Sequence, residues 1–221
     1  MTSDLADVFV DVCTQRAYLA EHQPQRCRNA QQVLANLKHI MAFARLAKTP
    51  VVSCVDVDAA NRIGAEYVSV PPDLTPLERK VSFSLLPRHT LIQSDNSLAM
   101  SREIFGDHQQ AIFTKVHRDP FTNPKLDRLL TELPAGRFVI FGVGIETSLR
   151  MLALGLLRRR RKVAVLFDAC GYWNHQEADM ALRQMSVKGC ELLPARGYIS
   201  TALARVSRRL GTRIRPTRSV A

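Results

Sequence analysis

The sequence predicts an α/β domain, a three-layer α/β/α sandwich around a mostly parallel, six-stranded sheet. Two observations carry this prediction. Short apolar runs alternate along the chain with longer stretches of amphipathic helical spacing. The predicted strands are also apolar throughout, which is typical of parallel strands that helices cover on both faces.

The six strands follow from apolar runs of four to eight residues, the first of which ends in an acid. They are residues 4–11, 51–55, 111–114, 138–141, 163–167 and 190–193. Residues 138–141 form a continuous apolar run that leads directly into Gly142. We therefore expect a buried central strand that ends in a glycine turn.

Five helices are predicted between and after these strands. They are residues 31–48, 125–133, 146–159, 176–188 and 199–210. In the first, Val33, Leu37, Ile40 and Ala44 recur at helical spacing, and Pro50 follows its end. Residues 58–89 carry four prolines and little periodicity, so we interpret them as a long excursion of loops with room for a short strand.

We expect one domain over residues 1–211 and a basic, disordered tail over residues 212–221. The chain has 221 residues, 46% of them hydrophobic, which suits one sizeable core better than two. The chain has five cysteines, an odd number, which are scattered along the sequence and never form a CxxC pair. This pattern favours buried, reduced thiols over a disulfide framework or a structural zinc site.

Charge and hydropathy limit the partners and the location. The net charge is +11, and much of it lies in the run Arg158–Lys162 and in the C-terminal arginines. Such charge attracts polyanions, but no aromatic interleaving or nucleic-acid motif accompanies it, so we do not expect nucleic-acid binding. No apolar run is long enough for a bilayer, and the acidic N-terminus is unlike a signal peptide. We expect a soluble, cytoplasmic protein without membrane contact.

Charged residues and a glycine turn follow the predicted strands. In Rossmann-like open sheets, function lies at the carboxyl ends of the strands. This rule selects Asp11, Asp56, Lys115, the turn of residues 142–148, and Asp168. From pattern alone, the prediction stops at a parallel α/β domain with a polar site at one edge of its sheet.

Several of these strand ends carry a family resemblance. The segments are Phe9-Val10-Asp11, Lys115 followed six residues later by Phe121, the run Gly142-Val143-Gly144-Ile145-Glu146-Thr147-Ser148-Leu149, and Phe167-Asp168-Ala169-Cys170. In order and spacing they resemble the isochorismatase-like, or cysteine hydrolase, superfamily. The resemblance covers residues 4–210.

The resemblance implies roles for particular residues. Asp11 is the general acid or base and Lys115 its cationic partner; the alternative is a structural ion pair at the edge of the sheet. The amides of Gly144 and Ser148 form an oxyanion site at a turn that often holds a cis peptide before Gly144. Phe121 and Ile145 complete the substrate-binding set. The alternative to an oxyanion site is that this turn is only a glycine-rich connection between a strand and a helix.

Ser148 departs from the superfamily pattern, which has a nucleophilic cysteine at this position. A serine hydroxyl is far less acidic than a thiol and needs a base such as Asp11 to take its proton. Superfamily members without the cysteine hydrolyse a vinyl ether with the aspartate as acid and form no covalent intermediate. Ser148 is therefore a nucleophile, a group that binds substrate or water, or a sign of lost activity.

Three residues stand where nicotinamidase-like relatives carry metal ligands. These are Asp56, Asp58 and His89. Two carboxylates and an imidazole suit Mn, Fe or Zn, but carboxylates that cap a loop are commoner. We therefore predict no metal and no other cofactor.

Three functions remain at this point. The first is a hydrolase of a small, anionic amide, ureide or vinyl-ether substrate that uses Asp11, Lys115 and the turn. The second is a catalytically degenerate relative that binds a metabolite or a protein. The third is an adaptor that binds nucleic acid or a membrane surface through the basic tail. By analogy with relatives, we also expect a homo-oligomer. We favour the hydrolase, because folding alone requires neither Asp11 nor Lys115.

Overall fold

A computed structural model describes residues 5–57, 74–94, 97–101 and 103–210. It contains one sheet of seven strands, all parallel to their neighbours. The strands are β1 (Leu5–Val12), β2 (Val51–Asp56), β3 (His89–Ile92), β4 (Gln110–Lys115), β5 (Ala135–Val143), β6 (Val163–Gly171) and β7 (Glu191–Leu193).

The strand order across the sheet is β3-β4-β2-β1-β5-β6-β7. The chain builds outward from β1 to one edge and then returns through β5 to build toward the other edge. The boundary between β1 and β5 is therefore the topological switch point, where open α/β sheets bind their ligands. In the register of these two strands, Asp11 lies opposite Phe141 and Val12 opposite Gly142.

Seven α-helices accompany the strands in the described part of the chain. They are α1 (Arg16–Leu19), α2 (Ala30–Ala47), α3 (Ile104–Asp107), α4 (Pro124–Glu132), α5 (Arg150–Arg158), α6 (His175–Val187) and α7 (Ala195–Leu210). Helix α2 packs on α7 and β6, while α5 packs on α6 and β6. Residues 8–12 and 51–55 are buried without exception, so the central strands are covered on both faces.

Local chemistry fixes the ends of several helices. Asn123 accepts from the amides of Lys125 and Leu126, and Pro124 occupies the first helical position of α4. Asn174 caps α6 in the same way. Helix α2 ends at Lys48, whose left-handed backbone directs its amide to the carbonyl of Ala44.

The predicted fold class is confirmed, with one difference in strand count. The seventh strand is β3, which begins at the last residue of the excursion predicted for residues 58–89 and forms the edge of the sheet beside β4. It has four residues, none of them fully buried, so it lacks the apolar run that revealed the others. No helix among the described residues is long and apolar enough to cross a membrane. The tail of residues 212–221 lies outside the described residues.

Candidate active site

A cleft of about 910 Å³ opens at the carboxyl ends of the central strands, beside the switch point. Its wall includes residues from the ends of four strands: Cys13 after β1, Asp56 at the end of β2, His117 after β4, and Ser148 after β5. Strand ends that are far apart in sequence thus meet at one edge of the sheet, as the sequence predicts.

The turn after β5 places Ser148 in this cleft. Gly142 and Gly144 have φ angles of +127° and +87°, which side chains other than glycine rarely adopt. A Cβ atom on Gly142 would also lie 2.0 Å from the carbonyl oxygen of Val12. One π-helical turn, Ile145–Leu149, follows and leads into α5. No peptide bond among the described residues is cis, so positive φ angles alone form this turn.

Lys115 lies beneath the cleft and joins two of its groups. Its ammonium donates to the carboxylate of Asp56 and lies 3.3 Å from Ser148 Oγ. It also donates to the carbonyl of His117 at 3.2 Å. Burial by itself lowers the pKa of Lys115, but the neighbouring acidic groups of Cys13, Cys54 and Asp56 outweigh burial and raise the pKa above its ordinary value. Lys115 is therefore a fixed positive charge next to the serine hydroxyl.

Asp11 has a different partner from the one expected. Its buried carboxylate accepts from Lys80 Nζ at 2.5 Å, from Thr14 Oγ1 at 2.8 Å and from Ser53 Oγ at 3.3 Å. The predicted pairing of Asp11 with Lys115 is wrong, because Lys115 pairs with Asp56 instead. Lys80 enters from the weakly patterned stretch before β3, where the sequence offers no periodic signal for a buried cation.

Two aromatic residues that the sequence analysis did not select also belong to the cleft. Tyr18 donates to Asp56 Oδ2 at 2.9 Å, and its ring meets that of Trp173 edge to face, with 5.5 Å between centroids. Burial, followed by the charge of Asp56, raises the pKa of Tyr18, so the phenol remains a donor. Trp173 follows the end of β6, so the strand-end rule could have found it.

Three other predicted residues do not have their expected places. The amide of Gly144 donates to the carbonyl of Gly171 at 3.0 Å, so it cannot serve an oxyanion. Phe121 packs under Gly155, and the guanidinium of Arg159 stacks on its ring 3.9 Å from the centroid. Ile145 is 2% exposed and belongs to the core. Of the predicted oxyanion and substrate-binding set, Gly144 and Ser148 line the cleft and Phe121 and Ile145 do not.

The metal-ligand candidates do not converge. His89 pairs in register with Gln110 at the start of β4, whereas Asp56 pairs with Lys115 at its end. At about 3.3 Å per residue, the two positions are separated by about 16 Å along the strands. His89 and Asp56 therefore cannot bind one ion, and Asp58 lies outside the described residues. Over the described parts of the chain, no three His, Cys, Asp or Glu side chains converge on a common point.

These features define the class of the protein: an open, parallel α/β domain with a lysine, a carboxylate and a serine in contact beside a cleft at the carboxyl ends of its central strands. The sequence model of the isochorismatase domain matches residues 5–196, so this chain belongs to the isochorismatase family. This family is one of isochorismatase-like hydrolases. A comparison with curated protein sequences gave no match.

Three solved structures illustrate the similarity of fold. An isochorismatase-like hydrolase from Alkaliphilus metalliredigens has a TM-score of 0.67 at 17% identity and covers 89% of this chain and 98% of its own. The MAR1 ribonuclease from Caenorhabditis elegans has a TM-score of 0.61 at 15% identity, with coverages of 100% and 97%. N-carbamoylsarcosine amidase from Thermoplasma acidophilum has a TM-score of 0.60 at 15% identity, with coverages of 86% and 97%. At these identities the likeness concerns the fold.

Proposed function

We propose that this protein hydrolyses a small, anionic amide or ureide, with Ser148 as nucleophile, Asp56 as base and Lys115 as a fixed positive charge. The observation that carries the proposal is the contact of one buried ammonium with both the Ser148 hydroxyl and the Asp56 carboxylate at the wall of an open cleft. Ser148 stands where the superfamily resemblance places a cysteine.

Lys115 acts as a cation and not as a base. Its raised pKa keeps the ammonium protonated through the neutral range, so it cannot accept the serine proton. At 3.3 Å from Ser148 Oγ, it stabilises negative charge on that oxygen or on a carbonyl oxygen held beside it. It also attracts an anionic substrate, as does Arg118 at the cleft wall.

Asp56 is the base in this scheme. Its side chain is 33% exposed and shares Lys115 with Ser148, so it lies within reach of the hydroxyl proton, directly or through one water. As the Ser148 oxygen bonds to the carbonyl carbon, its proton passes to Asp56. The carbon–nitrogen bond then breaks, the nitrogen takes that proton, and water hydrolyses the remaining acyl-serine ester.

This arrangement favours amides and ureides over vinyl ethers. Hydrolysis of a vinyl ether needs a carboxylic acid that donates a proton to carbon. Asp11 and Asp56 each accept a hydrogen bond from an ammonium group, so neither is arranged to donate a proton to a substrate. N-carbamoylsarcosine amidase, which shares the fold, is named for an amide substrate and supports the same choice.

A second candidate function is binding without turnover. Two observations favour it: Asp11 is closed off by Lys80, and the Gly144 amide is occupied by Gly171. A family member that has lost these two groups keeps a cleft suited to a small anion. The two candidate functions differ in what they predict: a binding protein holds a small anion but releases no hydrolysis product.

The test is a hydrolysis screen with matched variants. Purified protein is assayed for ammonia release from amides and ureides and for pyruvate release from isochorismate. We expect ammonia release that falls by roughly 10²–10⁴-fold in both Ser148→Ala and Asp56→Asn. The controls are Ser186→Ala, at an exposed position of α6, and Asp179→Asn, at a partly exposed position of the same helix, and both keep full activity.

Each contrary outcome has a meaning. Pyruvate release that survives Ser148→Ala would replace the covalent scheme by acid catalysis. Silence across the panel, together with saturable binding of an anionic amide by calorimetry, would establish the binding function. Full activity in both cleft variants would move the active site elsewhere.

A further inference from the structure

Two cysteines meet at the floor of the cleft. The amide of Cys13 donates to the carbonyl of Cys54 at 2.8 Å, which places the two residues side by side on neighbouring strands. Cys13 directly follows β1 and has a left-handed backbone, φ +51°, and its thiol hydrogen-bonds to that of Cys54. Cys54 lies opposite Val12 in the register of the two strands, so Cys13 is one residue further along. With strands about 4.8 Å apart and a rise of about 3.3 Å per residue, the Cα atoms of Cys13 and Cys54 are about 6 Å apart, within the range of about 4.4–6.8 Å that disulfides span.

We propose that Cys13 and Cys54 are an oxidisable dithiol, a modification site that reacts with a hydroperoxide entering through the cleft and closes to a disulfide. Cys13 lines the cleft, and Cys54 lies directly behind it. The pair therefore combines contact between two sulfurs with a path from solvent. This site does not depend on the proposed hydrolase activity.

The electrostatics of the pair supply a reactive thiolate. The hydrogen bond between the thiols raises the pKa of Cys13, which donates, and lowers the pKa of Cys54, which accepts. The ammonium of Lys115 lowers the pKa of both thiols. Deprotonation of the pair leaves one negative charge that the two sulfurs share through their hydrogen bond, and the thiolate is the form that peroxides oxidise.

The reaction balances without any further reagent. The sulfur of Cys13, which lines the cleft, takes one oxygen from hydrogen peroxide as the thiolate of the pair. The oxygen–oxygen bond breaks, hydroxide is released, and Cys13 becomes a sulfenic acid. The Cys54 sulfur then bonds to the sulfenic sulfur, and the sulfur–oxygen bond breaks. The hydroxyl group leaves as water with the proton of Cys54. The two thiols are oxidised by two electrons, and the peroxide is reduced.

The remaining cysteines provide an internal contrast. Burial raises the pKa of Cys27 and of Cys190 to about 11 each, so both remain protonated in the neutral range. Cys170 is buried and donates to the carbonyl of Leu166. None of these three lines the cleft in the described part of the chain, so we expect peroxide to leave them as thiols.

Tryptic peptide mapping tests this proposal. The folded, reduced protein is treated with hydrogen peroxide, free thiols are alkylated, and the digest is analysed by mass spectrometry without reduction. Trypsin places Cys13 in the peptide of residues 1–16 and Cys54 in that of residues 49–62. We expect these two peptides joined, with the loss of two hydrogen atoms, and separated again after dithiothreitol.

Variants and a denatured control identify the cause. Cys13→Ser and Cys54→Ser abolish the joined peptide, while Cys170→Ser and Cys190→Ser retain it. In urea the pairing becomes a mixture of all cysteines, which shows that the fold selects this pair. Two separately alkylated peptides after peroxide, a higher oxide of Cys13 without a link, or equal linkage to Cys27 in the folded protein would each overturn the proposal. The wild-type map decides this even if a serine variant does not fold.

Discussion

Asp11 and Lys80 form an ion pair that is closed to water. Their side chains are 0% and 1% exposed, and Thr14 donates to the carboxylate as well. Moving two charges into the interior costs several kcal/mol, which their attraction repays only while both partners are present. The pair also fastens the stretch before β3 to the carboxyl end of β1.

Removal of one partner from this pair is expected to be costly. Lys80→Met leaves a buried carboxylate without its cation, and we expect a loss of about 3–5 kcal/mol in the free energy of unfolding, measured by urea denaturation. The control is Glu132→Gln, which breaks the exposed pair of Arg128 and Glu132 and costs less than about 1 kcal/mol. Adding Asp11→Asn to Lys80→Met should restore part of the loss. A Lys80→Met protein as stable as the wild type would contradict the buried pair.

The positions of single residues were more predictable than their partners. The strand-end rule selected Asp11, Asp56 and Lys115, and the structure brings Asp56 and Lys115 together. The strand-end rule could not predict which residues form ion pairs. Lys80, which lies in a stretch without periodicity, pairs with Asp11, and Lys115 pairs with Asp56 instead. Phe121 was expected at the substrate but packs under Gly155, because a glycine in α5 leaves room for the ring.

At the scale of elements, the turn between β5 and α5 has the strictest sequence requirement. Gly142 combines a φ of +127° with a close approach of the Val12 backbone, which has no flexible atom that could move aside. The turn determines where Ser148 lies relative to Lys115, so a shift there changes both the fold and the site.

Three glycine-to-alanine variants separate the cost of a positive φ angle from the cost of a steric clash with the added Cβ atom. Gly106→Ala, in α3 with nothing within 4 Å of the added carbon, should leave stability unchanged or raise it by less than about 1 kcal/mol. Gly189→Ala meets no atom but has a φ of +106°, and should cost about 1–2 kcal/mol. Gly142→Ala adds the collision and should cost more than either, on the order of 3–4 kcal/mol. Urea denaturation measures all three, and equal costs at Gly142 and Gly189 would refute the collision.

The elements that the sequence predicted well are those with strong local signals. Helix α2 begins one residue before its predicted start, and α4 and α6 have asparagine caps that fix their starts. The helix predicted over residues 146–159 is a π-helical turn followed by α5, because the turn must first accommodate Ser148 at the cleft. Strand β3 was missed because an exposed edge strand carries no run of buried residues.

At the scale of the whole molecule, the large positive charge is partly structural. In the run Arg158–Lys162, Arg159 pairs with Asp127 and stacks on Phe121, and Arg161 donates to the carbonyl of Leu133. Arg158, Arg160 and Lys162 are exposed. The net charge of the sequence includes all five of these residues equally. In the folded protein, two of them make contacts within the protein and three are exposed to solvent.

The exposed charge predicts weak, non-specific attraction to polyanions and no nucleic-acid site. We expect a fluorescent single-stranded RNA to bind only at low salt, with a steep loss of affinity as salt rises, measured by fluorescence anisotropy. Two variants remove three positive charges each: Arg158→Gln/Arg160→Gln/Lys162→Gln, and deletion of residues 212–221. Since non-specific attraction depends on the number of phosphates neutralised, both should lower the salt dependence to a similar extent.

A difference between these two variants would instead locate a site. Binding that persists near physiological salt and is lost in only one of them would require a defined surface that positions phosphates. A second outcome is that the wild-type protein cleaves the RNA and the Ser148→Ala variant does not. That result would identify phosphodiesters as substrates of the cleft, and a ribonuclease of this fold is known. Because Lys115 is cationic whichever substrate is used, its contact with Ser148 does not by itself distinguish a carbonyl from a phosphoryl group. The RNA assay makes that distinction. Weak, salt-sensitive binding without cleavage would leave amides and ureides as the proposed substrates.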